Sequence, residues 1–450
     1  MRAHDRAWVV TVLMGLGHLR AAYPLRDLAH EGLLVYGSRR TTPAPEYRIW
    51  RRLRKLYYAS SKAGTVPVIG KAVVGLMLAI ERIPSYYPKT DQSGPNFAVK
   101  YIERLIDKRG LCLGLRDKVS GADIPVIHTF YTTAIALERL AGPGAAAGPD
   151  NFLLICDADF NRVWVPRNPK ESRIKYLAPC TQVRRRLLAY GVREDHILMT
   201  GFPLPKENIG SETGLEILKE DLFARLLRLD PSGKFFFYHR NSVLNRLDRE
   251  SLPPLRESSF DVMFAVGGAG AQVEMVRKIL RSLKGRIRSG ELRLTISCGI
   301  QKTVFETCLK YAHESGLRGE LDRGIQIIYD QDLYRYFDRF NAQLRKTDVL
   351  WTKPSELAFY CGLGLPILMT DPIGTHEELN KRWLREIHAG VSPPGPVEAC
   401  GEWLFDLREN GRLAEAAWDG FLKARKLGTY KIERLIRTGE FREGSTPLEQ

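Results

Sequence analysis

Short apolar, β-branched runs alternate with amphipathic stretches through most of the chain. The first series is Val9–Leu13, Leu33–Tyr36, Pro125–Thr129, Phe152–Cys156, Ile174–Ala178 and Ile197–Thr200, with helical segments such as Thr181–Tyr190 between them. Continuous apolar runs bounded by turn residues predict strands buried on both faces, and intervening helices predict crossovers in a mostly parallel sheet. Gly201-Phe202-Pro203-Leu204-Pro205 breaks the pattern and reads as a linker. A second series follows: Phe260–Val266, Leu292–Cys298, Ile325–Tyr329, Val349–Thr352 and Leu365–Thr370. Helical patterns over Ala271–Arg288, Thr303–Ser315, Leu333–Arg345 and Glu377–Ile387 separate these runs. Val391–Pro396 reads as a loop, helices follow to about Lys426, and the last dozen residues read as a frayed polar tail. The prediction is an α/β protein with two Rossmann-like domains, 1–205 and 206–427, then a helix and tail over 428–450. Parallel sheets of this kind place ligands at the carboxyl ends of their strands, here expected to face an interdomain cleft.

Composition adds a size, a compartment and a partner. With 450 residues and 44% hydrophobic side chains, the chain can bury two sizeable cores. Its seven cysteines are scattered and never form a Cys-x-x-Cys pair. That excludes a disulfide framework and structural zinc, and points to a reducing, cytoplasmic setting. No secretory signal is read at the N-terminus, because the run Ala7–Leu16 leads into glycines and a histidine instead of a cleavage site.

The net charge of +16 is concentrated. Between Glu46 and Lys89 stand nine Lys or Arg residues and two acids. Within that stretch Arg48–Tyr58 mixes cations with aromatics, and Val66–Ile80 is strongly apolar but shorter than a spanning helix. Segment 46–89 therefore reads as a hairpin lying on an anionic membrane surface, at the inner face. A buried helix with a solvated basic neighbour is the plainer alternative. Nucleic-acid binding is not expected, since no recognisable nucleic-acid fold accompanies the charge.

Candidate chemistry gathers at the strand ends. The first run ends in Gly15-Leu16-Gly17-His18, where glycines permit a sharp turn and a close approach to a ligand. A helix starting there offers free N–H groups and a partial positive charge to an anion. Histidine is the side chain suited to taking a proton at neutral pH, which makes His18 a candidate general base, although a plain turn with a bystander histidine fits as well. Gly267, Gly268, Gly270, Ala271 and Gln272 form a second strand–glycine–helix turn, without the P-loop ending or the dinucleotide-fold spacing. Two such turns, one opening each domain, point to a phosphate-bearing ligand.

Lys353, Ser355 and Glu356 follow another strand end, and Glu377, Glu378 and Asn380 open a later helix. Cations suit phosphate and carboxylates suit vicinal hydroxyls. For Glu377 and Glu378, an acidic first turn favoured by the helix dipole is the plainer reading. Asp157 and Asp159 follow a buried strand and are expected to reach the ligand, as sugar contacts, as partners of His18 or as the base. His239 and Arg240 follow an aromatic run and receive no role.

The order of Gly15–His18, Tyr176-Leu177-Ala178-Pro179, Gly201-Phe202-Pro203, Gly267–Gln272, Lys353-Pro354-Ser355, Gly364-Leu365-Pro366 and Glu378-x-Asn380 resembles GT-B glycosyltransferases. Within that fold it is most similar to monogalactosyldiacylglycerol synthases and to the peptidoglycan transferase that adds N-acetylglucosamine to a lipid-linked intermediate. The resemblance runs from the first strand to about Ile387. It implies an N-terminal acceptor domain and a C-terminal domain for a nucleotide-sugar, most simply a UDP-sugar. It also implies His18 as base, the Gly267–Gln272 turn at the diphosphate, and Glu377, Glu378 and Asn380 near the donor sugar. Displacement with inversion is implied by the same likeness, with no metal and no cofactor beyond the donor, and the basic-apolar segment, read as holding the chain at a membrane, makes the hydroxyl of a membrane lipid the expected acceptor. His128 would line the acceptor side or serve the core.

One departure stands out. The family's ribose-binding glutamate falls at Phe359 here, leaving Glu356 as a substitute from the preceding turn. That gap keeps two other readings open: a GT-B sugar-nucleotide epimerase, and a non-catalytic nucleotide-sugar-binding protein.

Overall fold

Trp8–Val12 buries all five side chains, which a strand can do only where both faces of its sheet are covered. The computed structural model describes residues 2–62, 83–141, 148–254, 259–267, 270, 272–372 and 374–450, the side chains of 56–62 excepted. It contains two six-stranded sheets. The first comprises β1 (Trp8–Val12), β2 (Leu34–Tyr36), β3 (Val126–His128), β4 (Asn151–Leu154), β5 (Lys175–Leu177) and β6 (Ile197–Leu198) in the order β2-β1-β3-β4-β5-β6. The second comprises β7 (Phe260–Ala265), β8 (Leu292–Gly299), β9 (Ile325–Tyr329), β10 (Val349–Thr352), β11 (Ile367–Met369) and β12 (Gly390–Val391) in the order β12-β11-β10-β7-β8-β9. Every pairing is parallel. The tandem of doubly wound, Rossmann-like sheets expected of a GT-B chain is present.

Topology fixes where each sheet can hold a ligand. In the first, the chain runs from β1 out to β2 and returns to β3 on the other side of β1. In the second it runs from β7 out through β8 and β9, then returns to β10 beside β7. The strand order reverses at β1/β3 and at β7/β10, and a crevice opens outside the carboxyl ends at such reversals.

The chain divides into two units that are not contiguous in sequence. Unit 1 gathers 1–204, 373–380 and 425–450, and unit 2 gathers 205–372 and 381–424. In unit 1 the expected frayed tail is instead tied down. The carbonyl of Gln450 accepts from the N–H groups of Lys426 and Leu427 at 2.9 and 3.1 Å, next to the start of the helix Gly428–Thr438. Backbone N–H groups near a helix start need such a partner, which is why the tail folds back.

Buried charge braces unit 2. Arg225 is fully buried and donates to the carbonyls of Leu344, Thr347, Leu363 and Gly364 at 2.8–3.3 Å. Desolvation lowers its guanidinium to about 10, still charged at neutral pH. Asp348 accepts from Arg228 Nε and the Asp261 N–H, while burial pushes its carboxyl up to about 6.

All seven cysteines are buried free thiols, as expected of small core residues. Among the described residues no helix is long and apolar enough to cross a membrane. The expected hairpin is described as far as the helix Ala44–Lys62, and its apolar half, Val66–Ile80, lies outside the described residues.

Candidate functional site

At the β1/β3 reversal, the turn after β1 carries Gly15 with φ of +82°, a conformation that a side chain would strain. Gly17 opens the helix Gly17–Ala22 and His18 lies on its first turn, half-buried. This helix is only six residues long, so its dipole is small. The anion site expected at its N-terminus is not supported.

Aromatic rings surround His18 instead. Phe130, just beyond β3, meets it edge-on with centroids 5.0 Å apart, and Trp164 lies 6.1 Å away. Tyr131 sits 4.4 Å from Phe130 and 5.3 Å from Trp164, and Trp50 is 6.2 Å from Phe130. The turn is therefore packed against aromatic rings, of which Phe130, Trp164 and Trp50 are buried, and its surroundings are apolar. The sequence reading missed Phe130 and Trp164, although Phe130 directly follows a run recognised as a strand.

His128 ends β3 and is fully buried. Its Nδ1 lies 2.9 Å from Thr133 Oγ1, and that hydroxyl donates to the Phe130 carbonyl at 2.8 Å. Since the hydroxyl proton is already committed, Nδ1 carries the hydrogen and donates, leaving Nε2 as a bare acceptor. Burial lowers the ring to about 3, so His128 stays neutral and is too weak a base to take a hydroxyl proton. It serves the core.

The two aspartates part company. Asp159 is buried and receives both arms of Arg186, Nε to Oδ1 at 2.7 Å and Nη2 to Oδ2 at 2.8 Å. With both oxygens occupied it braces the loop after β4, contrary to the expectation that it reaches a ligand. Asp157 is half-buried, and its Oδ1 accepts from Asn380 Nδ2 at 2.8 Å. The Ala158 N–H donates to Asn380 Oδ1 at 2.7 Å. Asn380 is 0% exposed and belongs to unit 1, so its expected place at a donor sugar in the second domain is corrected: it clamps the Asp157–Ala158 turn. In the same short segment Glu377 is buried, with Oε1 3.8 Å from His376 Nε2, while Glu378 is exposed.

The β7/β10 reversal in unit 2 is polar. A Cβ on Gly267, just past β7, would meet Lys353 Cε at 3.0 Å, so Lys353 lies against the turn and a side chain at 267 would push it back by a few tenths of an ångström. Gly270 has φ of +70°, and the helix Val273–Arg288 follows. At sixteen residues this helix carries a full dipole at its start. Gln272 stands at its N-cap position without a capping bond, is buried, and donates from Nε2 to Thr370 Oγ1 at 2.5 Å, while Oε1 has no partner among the described residues. Thr370 directly follows β11, and its N–H donates to the Thr352 carbonyl at 3.0 Å. The ends of β7, β10 and β11 thus meet around a lysine, a helix start and a buried amide oxygen open to a hydrogen-bond donor. Gly268 and Ala271 lie outside the described residues.

Ser355 and Glu356, both half-buried, lead into the 3₁₀ segment Glu356–Leu363. Within it Phe359 is buried against Trp383, rings 5.0 Å apart. The position of the family's ribose carboxylate is therefore part of the core here. His239 stacks on Phe235 at 4.8 Å and Arg240 is exposed. No cluster of three or more metal-ligating side chains exists among the described residues.

Over residues 243–433, less than half of the chain, the sequence matches the profile of a domain of unknown function, DUF6938. No curated protein matches it. Among solved structures it is similar to the UDP-GlcNAc 2-epimerase from Neisseria meningitidis bound to UDP-GlcNAc, at 10% identity and TM-score 0.43, covering 95% of this chain and 96% of that one. It is also similar to Arabidopsis thaliana UGT89C1 complexed with UDP-L-rhamnose, at 12% identity and TM-score 0.41, covering 96% and 94%. A glycosyltransferase from Rickettsia africae has 11% identity and TM-score 0.39, covering 96% and 99%. Similarity of this degree specifies neither substrate nor reaction.

Proposed function

We propose that the chain is a glycosyltransferase that uses a nucleotide-diphospho-sugar, most simply a UDP-sugar, and transfers the sugar to a hydroxyl of a membrane lipid. The observation that carries this reading is Lys353 lying against Gly267, in the turn that leads from β7 to the sixteen-residue helix Val273–Arg288. A lysine, backbone N–H groups and a helix dipole in one place stabilise the charge that develops on a leaving diphosphate. Gln272 Oε1 is a buried acceptor and would take a ligand hydroxyl or N–H, so it would lie beside the diphosphate and not on it.

In unit 1, His18 would remove the acceptor proton during attack on the anomeric carbon, with inversion. The Phe130, Tyr131 and Trp164 faces would hold the acceptor body. Asp157 would position the site through Asn380 without touching the reacting atoms. The basic helix Ala44–Lys62 supports association with an anionic inner membrane face.

Two measurements test the reading. A ligand that binds only the folded state raises its melting temperature, so UDP and UDP-sugars should do so and Lys353→Met should reduce the shift at the same ligand concentration. Radiolabelled sugar should enter a lipid extract with wild type and not with His18→Ala. Isomerised free UDP-sugar without lipid product would establish the epimerase reading. A melting shift without turnover on any donor would establish a binding protein, the outcome that the core position of Phe359 favours.

A further inference from the structure

The helix Phe97–Arg109 in unit 1 is built to be two-sided. Asn96 caps it, Oδ1 accepting from the Val99 N–H at 3.0 Å, and Gly110 in the left-handed region ends it. Ala98, Val99, Ile102, Glu103 and Ile106 form the buried side. Phe97, Lys100, Tyr101, Arg104 and Lys108 fall at three- and four-residue spacings on the other, and all are exposed. Phe97 is 65% and Tyr101 46% exposed, their rings stacked 6.2 Å apart and 15° from parallel.

Both acids of this helix are spent elsewhere. Glu103 pairs with Arg139 at 3.2 Å and Arg167 at 2.8 Å, and Asp107 receives Arg139 through two bonds of 2.6 and 3.0 Å. No acid pairs with Lys100, Arg104 or Lys108 among the described residues. The helix Ala44–Lys62 repeats the arrangement. Arg48, Arg51, Arg52 and Lys55 are exposed at the same spacings without an acidic partner among the described residues. Its acid, Glu46, is buried and accepts from Tyr36 Oη and from the N–H groups of Cys112 and Gly114 at 2.7–2.8 Å. The acids of both helices are therefore engaged by other groups, which leaves Lys100, Arg104, Lys108 and Arg48, Arg51, Arg52, Lys55 as uncompensated cations.

We propose that the outer stripe of Phe97–Arg109 is a docking surface for an anionic phospholipid bilayer, with Phe97 and Tyr101 entering the headgroup–acyl boundary and Lys100, Arg104 and Lys108 facing lipid phosphates. Uncompensated cations call for an anionic partner. Phe97, the more exposed of the two rings, carries no hydrogen-bonding group and is stacked on its neighbour, which suits insertion at an interface better than reading a nucleic-acid base. The inference deepens the membrane-acceptor reading but rests on residues outside the segment 46–89 that suggested it, and on no catalytic residue.

Co-sedimentation of the full chain with vesicles tests it, comparing phosphatidylcholine alone with a phosphatidylcholine–phosphatidylglycerol mixture. Wild type should bind the mixture and not the neutral vesicles. Lys100→Glu with Arg104→Glu should weaken binding by about 10- to 100-fold at low salt, with the difference shrinking at high salt. Phe97→Ser with Tyr101→Ser should weaken binding at both salt levels, since apolar insertion is not screened. Both variants should keep the wild-type melting temperature and its shift with UDP, so a loss of vesicle binding would not reflect a loss of fold or of the nucleotide site. Vesicle binding equal to wild type in both variants, no binding of wild type to the mixture, or a single-stranded RNA that displaces the vesicles and whose own binding the variants lose would each overturn the proposal. Absence of a UDP shift in wild type would defeat the transferase reading and leave this one standing.

Discussion

The turn after β1 and the turn after β7 hold the same place in their sheets, each beside the strand where the order reverses, yet they are made of opposite materials. The first leads into a six-residue helix and is walled by Phe130 and Trp164. The second leads into a sixteen-residue helix and has Lys353 lying against it, with Gln272 and Thr370 behind it. Both turns supply glycines and backbone N–H groups, so neither fact tells them apart. The difference comes from the neighbouring strand: β3 continues into Thr129 and Phe130, while β10 continues into Lys353. What a turn at a strand reversal can bind is set largely by the residues that leave the strand next to it.

Breaking one side should leave the other intact. The largest effect is expected at His18: His18→Ala should lower transfer by about 10²- to 10⁴-fold, the usual contribution of a positioned base. Its melting shift with UDP should stay unchanged; a shift lost together with transfer would mean that the aromatic turn also holds the nucleotide. Next, Asp159→Ala should cost about 3–5 kcal/mol in urea unfolding of unit 1, because it strands the buried Arg186 guanidinium. A cost under about 1 kcal/mol would return Asp159 to the list of ligand contacts.

Lys353→Met should weaken UDP binding by about 10- to 100-fold, the loss of one charge-assisted hydrogen bond, with stability little altered. Calorimetric titration gives this directly, and unchanged affinity would remove the phosphate from the unit 2 turn.

The smallest effect concerns pH. The ring of His128 is held at about 3 in the fold against an ordinary 6.5, so the unfolded chain binds the extra proton first as acid is added. Its contribution to stability is complete above pH 6.5 and is lost as the pH falls toward 3. Wild type should lose about 2 kcal/mol from this source between pH 6.5 and about 5, at roughly 1.4 kcal/mol per unit. His128→Asn should flatten that slope whatever its effect at neutral pH, and an equally steep melting profile would show that the ring titrates normally.

Much of the architecture was legible because buried parallel strands are unbroken apolar runs. Eleven of the twelve strands coincide with such runs. The missed one, Gly390–Val391, pairs with β11 through two residues that carry no periodic signal. At the candidate sites, His18 and the glycine turns were legible from local order. Phe130 and Trp164 were not, since an aromatic residue after a strand reads the same whether it faces the core or a ligand. The assignment of Asn380 failed for a different reason. Its contact with Asp157 spans 223 positions, and nothing local marks a residue whose partner is so far away. Phe359 was flagged as a gap by counting, and the Trp383 ring packed against it shows that the gap is filled by core.

The route of the chain also bears on how such a protein can be divided. Unit 1 takes its bracing asparagine from 373–380 and its closing helix from 425–450, both beyond the whole run of 205–372 that belongs to unit 2. A fragment cut after Leu204 would leave the Asp157–Ala158 turn unclamped and expose the apolar bed that Ile432, Leu435 and Ile436 cover. The halves are therefore not interchangeable modules. A chimera joined to another chain at the Leu204/Pro205 junction alone should aggregate, because 373–380 and 425–450 have to be kept together with 1–204.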